Sequence, residues 1–162
     1  MTRIVAKRRN QPSCAKRTAI APAASAESAI DSSALVAALV EHDSDALKSL
    51  RAKTRPITSA LTFAETARAI IRARVAGRLT LDAERAAVRA LRRFERRCYV
   101  VAVTDDVLTR VRRPSPVEPV RTLDAVHIAT AESLGEPPQL MTIVSRDNRV
   151  RDNAKALGYS VE

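Results

Sequence analysis

Aromatic side chains are nearly missing from this chain: two Phe, two Tyr and no Trp among 162 residues. Its core therefore has to be assembled from Ala, Val, Leu and Ile. Cysteine is scarce too, limited to Cys14 and Cys98. That number and spacing give neither a disulfide framework nor a metal-binding pattern. Cys98 opens an apolar run and reads as a small buried hydrophobe. A reducing interior, the cytoplasm, is the default setting for such a chain. No apolar run approaches the ~20 residues that a membrane span needs, so no membrane is expected. No His or Cys cluster is present to hold zinc. No Ser, Cys or His sits where it would be activated as a nucleophile.

What the chain has in excess is positive charge. Lys and Arg number 28 against 18 Asp and Glu, a net charge of +10, with an isoelectric point near 10.7. A balance that basic favours polyanions, nucleic acid first, although an Arg-rich, Ala-rich composition also follows from a GC-rich genome. The length suits one domain plus a little extra. The extra is residues 1–27, which hold six Lys or Arg against Glu27 alone and show no apolar periodicity. This segment reads as a disordered basic extension. It is either an arm that contacts nucleic acid or a stretch with no role. A secretory leader is disfavoured because "TAIAPAA" is too weakly apolar, despite the A-x-A-like "ASA" that follows. Residues 28–162 form the domain proper.

Within that domain short apolar runs alternate with amphipathic stretches. "SAI", "RPITS", "CYVVAV", "QLMTIVS" and "YSV" read as strands. "CYVVAV" (98–103) reads as the clearest buried one. Between them, helices are expected in "SSALVAALVEHD", capped by Ser32 or Ser33, and in "DALKSLRAK". Others are expected in "ALTFAETARAIIRARVAGR", ended by Gly77, and in "TLDAERAAVRALRRFERR", capped by Thr80. Three more follow: "TDDVLTRVRR" capped by Thr104, "TLDAVHIATAESLG" capped by Thr122 and ended by Gly135, and "DNRVRDNAKALG" ended by Gly158. "PSPVEP" is a loop. Helical connections between short strands imply a three-layer α/β/α domain with a central, mostly parallel sheet of about four or five strands.

In such a sheet the functional crevice lies at the carboxyl ends of the strands, and four acids fall there. Asp31 follows "SAI". Glu65 lies one turn into the helix after "PITSA". Asp124 sits in the first turn of its helix, and Asp147 follows "MTIVSR". Each alone reads as a response to the helix dipole or a cap. Their recurrence on one edge argues for a shared pocket. Gathered carboxylates repel one another and need a cation. An all-oxygen donor set suits Mg²⁺, or Mn²⁺, rather than zinc. Carboxylate-held Mg²⁺ serves phosphoryl chemistry, neutralising the phosphate and activating a water. An acidic pocket on a basic protein is the expected signature of a nuclease.

Four motifs then carry a family resemblance: "DSSALV" (31–36), "SALTFAE" (59–65), "LDAVHIATA" (123–131) and "VSRDNRVRDNAKALG" (144–158). In order and spacing the chain resembles the PIN-domain ribonucleases, most of all the VapC-type toxins of type II toxin–antitoxin pairs. The resemblance spans 28–162. It implies an endoribonuclease in which Asp31 and Asp124 are the principal metal ligands, with Glu65 and Asp147 completing the pocket. Ser32 and Ser145 match hydroxyl positions beside it. It further implies an RNA substrate, cleavage by a metal-activated water, a cognate antitoxin protein and a homodimer. Other readings are a PIN nuclease that processes RNA without an antitoxin, and a basic module that binds nucleic acid while its acids merely cap helices. A HAD-like phosphatase would place D-x-D after the first strand, where this chain has "DSS".

The remaining candidates have plainer readings. His127, one turn after Asp124, reads as a packed or partnered histidine rather than a base. His42 reads as solvated, Asp152 as surface, and Asp105 and Asp106 as capping chemistry. Arg85, Arg89, Arg93 and Arg97, widened by Arg92 and Arg96, form one helical stripe. That stripe is either a solvated face or a surface for RNA or antitoxin. Arg68, Arg72 and Arg121 are the candidates for gripping RNA phosphate.

Overall fold

The structure, a computed structural model, describes residues 27–52 and 55–162. The basic extension thus lies outside the described residues, except for Glu27, which opens the first strand. Five strands make one sheet: β1 (Glu27–Ile30), β2 (Arg55–Ser59), β3 (Tyr99–Val101), β4 (Met141–Val144) and β5 (Ser160–Val161). Their spatial order is β3-β2-β1-β4-β5, and every pairing is parallel. Parallel neighbours need crossovers. Helices α1 (Ser32–Leu39) and α2 (Ser44–Arg51) join β1 to β2. Helices α3 (Ala60–Val75) and α4 (Leu81–Glu95) join β2 to β3. Helices α5 (Asp105–Val111) and α6 (Thr122–Glu132) join β3 to β4, and α7 (Asn148–Ala156) joins β4 to β5.

Alternation along the strands sorts the core into two layers. Ile30 and Val144 point to one face, where they pack with Leu35, Leu50, Ile70, Leu91 and Phe94 of α1–α4. Met141 and Ile143 point to the other, against Ile128, Val150, Ala154 and Tyr159. Val107 of α5 closes on Val126 and Ala129 of α6. The arrangement is the expected three-layer α/β/α. Alanine lets the layers approach closely: Ala34, Ala46 and Ala73 are fully buried. Full burial of a side chain such as Leu35 or Ile70, both with no exposed surface, contributes about 1.5–3 kcal/mol. Gly77 and Gly135 follow α3 and α6 with φ of 72°, the left-handed conformation that ends a helix at little cost only for glycine. Among the described residues no helix is long and apolar enough to cross a membrane.

Three expectations need correction. "CYVVAV" is not the best buried strand: β3 has three residues at the edge of the sheet, with Tyr99 37% and Val100 40% exposed. An apolar run records affinity for the sheet but not whether both flanks are covered. The Arg55 guanidinium lies 4.9 Å from the centre of the Tyr99 ring and shields part of it. The cap of α1 is Asp31, not Ser32 or Ser33; its carboxylate accepts from the Ser33 backbone N–H. Thr122 does not cap α6 but is its first residue; Arg121 holds the cap position, without a side-chain hydrogen bond. The caps Thr80 and Thr104 stand where the sequence places them.

The strand order also fixes where a crevice opens. From β1 the chain moves to β2 and then β3 on one side, before crossing to β4 on the other. The connections leaving β1 and β4 therefore diverge, and the space between their carboxyl ends is a topological switch point.

Candidate functional site

Asp31 follows β1 at that switch point and is 4% exposed. A buried carboxylate has to be compensated, and here hydroxyls do it. Oδ2 accepts from Ser33 Oγ at 2.7 Å and from Ser145 Oγ at 2.6 Å. Oδ1 accepts from Ser32 Oγ at 3.2 Å and the Ser33 backbone N–H at 3.3 Å. Both expected hydroxyls, Ser32 and Ser145, thus touch Asp31. Ser33, which the sequence offered only as a cap, proves more central. Its Oγ also accepts from the backbone N–H groups of Arg146 (2.8 Å) and Asp147 (3.2 Å). It ties the start of α1 to the turn that carries Asp147. Asp147 caps α7 by accepting from the Arg149 backbone at 2.8 Å.

Glu65 is delivered by α3, and its Oε2 lies 2.7 Å from His127 Nε2. The same nitrogen lies 3.5 Å from Asp31 Oδ1. The other ring nitrogen is 3.4 Å from Thr62 Oγ1. Thr58 Oγ1 shares its proton between Thr62 Oγ1, at 2.8 Å, and the Ile30 carbonyl, at 2.6 Å. Burial works against a charged His127, but the hydrogen bond to Glu65 and the charges of Asp31, Glu65 and Asp124 outweigh it. Its pKa stands above the ordinary imidazole value.

Asp124 lies in the first turn of α6. Burial, the charge of Asp147 and the charge of Asp31 raise its pKa, against a smaller downward pull from Arg121. Its Oδ2 is buried and has no hydrogen-bond partner among the described residues. Orphaned buried oxygens are uncommon and call for an explanation.

Asp31, Glu65 and Asp147 are therefore joined at the strand ends through hydroxyls and an imidazole, and Asp124 feels the charges of Asp31 and Asp147. Among the described residues no three Asp, Glu, His or Cys side chains stand close enough together to hold an ion as they are placed. The chemistry of the pocket nevertheless fits a cation: its four carboxylates are hard oxygen donors, and Asp124 Oδ2, without a partner among the described residues, sits in a negative field.

Around the pocket, Arg121 is exposed beside Asp124, and Arg68 and Arg72 are exposed on α3 after Glu65. Asp105, Asp106, Asp152 and His42 are exposed too, in keeping with their plain readings. Arg85, Arg89, Arg92, Arg93 and Arg96 are exposed on α4. Arg97 is structural as well, donating to the Leu50 carbonyl at 2.9 Å. Cys98 is no nucleophile: burial pushes its thiol pKa up to about 12.

Sequence reasoning undervalued His127, Ser33 and Thr62. Their signals were present as spacing. His127 lies three residues after Asp124 on α6, Thr62 three before Glu65 on α3, and Ser33 two after Asp31, each the reach of a local side-chain contact.

The family described as PIN domain matches residues 29–156. The chain is 36% identical over 136 residues to ribonuclease VapC35 of Mycobacterium tuberculosis, an alignment covering 82% of this chain and 93% of that protein. It is 39% identical over 134 residues to ribonuclease VapC46 of the same organism, with the same coverage of each. The parallel α/β/α architecture agrees with the family model and with similarity along most of the chain: this protein belongs to the PIN-domain family.

Proposed function

We propose that this protein is a Mg²⁺-dependent endoribonuclease, the toxin of a type II toxin–antitoxin pair, with Asp31, Glu65, Asp124 and Asp147 as its catalytic, metal-holding residues. The observation that carries the reading is the buried Oδ2 of Asp124, without a hydrogen-bond partner among the described residues, in the field of Asp31 and Asp147. The names of the two relatives, both ribonucleases, support it.

The four acids would hold Mg²⁺, with Mn²⁺ as a substitute. When bound, the ion supplies neutralisation of phosphate charge and a lowered pKa for coordinated water. The protein's share is positioning and fixed charge. Ser33 and Ser145 lock the Asp31 carboxylate, and Ser33 keeps Asp147 in register with it. Glu65, gripped by His127, orients the attacking water. Attack in line forms one P–O bond and breaks the opposite one, and the departing RNA oxygen takes up a proton. Arg68, Arg72 and Arg121 bind flanking phosphates, and the +10 net charge draws RNA to the surface. An antitoxin protein checks the activity, the toxin acts as a homodimer, and both work in the cytoplasm.

The test is incubation of purified protein with RNA in Mg²⁺, with and without EDTA, alongside Asp31→Asn and Asp124→Asn. Cleavage that needs the ion and fails in both variants is expected. Wild type that binds RNA but never cuts it in Mg²⁺ or Mn²⁺ would overturn the nuclease reading. Expression arrest relieved by a protein encoded beside the gene tests the toxin assignment.

A further inference from the structure

We infer that His127 is a positioning residue of this site: it sets the Glu65 carboxylate in place and couples it to Asp31, while Thr62 and Thr58 fix the ring. The inference rests on the nuclease reading for its catalytic consequence but on geometry for the linkage. A carboxylate accepts and does not donate, so the 2.7 Å contact makes His127 Nε2 the donor to Glu65 Oε2. The same atom lies 3.5 Å from Asp31 Oδ1, so one N–H faces the two acids that β1 and α3 supply. The ring is 9% exposed and cannot swing out. Its far side meets Thr62 Oγ1, and the line of hydroxyls runs through Thr58 to the Ile30 carbonyl, one residue before Asp31. The chain of contacts thus runs from the Asp31 carboxylate to the carbonyl of Ile30, its neighbour in the chain. Its members come from β1, β2, α3 and α6, and among the described residues the imidazole spans Glu65 to Asp31.

Such an arrangement orients groups that do the chemistry without itself touching substrate. Loss of an orienting partner of this kind typically lowers metal affinity or activity about 10–100-fold. Glu65 is about one-fifth exposed, so without His127 its carboxylate can turn to solvent.

The experiment is a double-mutant cycle on the full chain, read as kcat and KM on RNA at saturating Mg²⁺, with folding checked by circular dichroism. His127→Leu is expected to lower kcat by about 10–100-fold with KM little changed. His127→Gln, which can still present an N–H near the Nε2 position, should recover most of that loss. Thr62→Val leaves His127 and all four acids in the chain and should give an intermediate loss. Adding His127→Leu to Glu65→Gln should cost little more than Glu65→Gln alone, because the imidazole acts through that carboxylate. A folded His127→Leu with wild-type kcat, or losses that multiply in the double variant, would overturn the inference. A wild type that never cleaves RNA would sink the nuclease reading instead. The ring's Nε2–H signal in the ¹H–¹⁵N spectrum then decides the linkage: a protected proton that exchanges faster in Glu65→Ala upholds it, and its absence from wild type overturns it.

Discussion

Ser33 and Ser145 stand 112 residues apart in the chain, yet both hydroxyls donate to the same oxygen of Asp31, at 2.7 and 2.6 Å. One belongs to the first turn of α1 and the other follows β4. Their shared acceptor closes the switch point from both sides and fixes the most buried of the four acids.

Ser33→Ala removes one of those donors and leaves the backbone N–H of Arg146 without its acceptor, while that of Asp147 keeps Ser145 Oγ. Unsatisfied buried donors cost about 1–3 kcal/mol. For a domain of this size ~1 kcal/mol moves Tm by roughly 2–4 °C. A fall of several degrees in thermal denaturation is expected, with weaker RNA cleavage at matched protein concentration.

Asp124→Asn should separate stability from activity. The Asp124 pKa is raised above 3.8 by burial and by the charges of Asp147 and Asp31, so the fold favours its neutral form. That contribution is fully present below 3.8 and is lost as pH rises through the raised folded value. At neutral pH the ionised Asp124 thus works against the metal-free fold. In EDTA at pH 7, Asp124→Asn should melt about 2–4 °C above wild type, the shift that ~1 kcal/mol gives. The advantage should shrink toward pH 4. Millimolar Mg²⁺ should raise the wild-type Tm and leave the variant's unchanged. An equal Mg²⁺ shift in both would remove Asp124 from the ion-holding set.

Leu35 has no exposed surface and lies at the centre of the α1–α4 layer. Leu35→Ala should cost about 2–5 kcal/mol in urea denaturation. With so few aromatics nearby, only Phe94 and Phe63 among the packed residues, little large side-chain volume is at hand to close the gap.

Arg68, Arg72 and Arg121 are each proposed to bind RNA phosphate. Replacing one by Ala should weaken RNA binding to catalytically dead protein regardless of RNA sequence. It should also flatten the slope of log K against log salt by about 0.7 for each lost contact to single-stranded RNA. An unchanged slope would return that arginine to the solvated surface.

The parts of the molecule legible in the sequence are those that local chemistry decides. Alternating apolar runs and helical stretches gave parallel strands and three layers. Thr80 and Thr104, each followed by acids in the first helical turn, marked their caps. Asp31 was legible as an acid at the end of the first strand but not as the cap of α1, because Ser32 and Ser33 offer the same oxygen chemistry one and two residues later; burial of Asp31 decides between them. The exposure of β3 was hidden because an edge strand differs from an inner one by what lies beside it in space. His127 was read as a packed histidine, and it is packed. Its bond to Glu65 spans 62 positions, and no local pattern encodes that distance.

The two outermost strands, β3 and β5, are three and two residues long, and none of the four acids follows either of them. Fraying at the rims of the sheet therefore leaves the pocket untouched. In hydrogen–deuterium exchange the amides of β1 should outlast those of both rim strands, because releasing them requires the whole sheet to come apart. That result would seat the proposed site in the part of the protein that opens last.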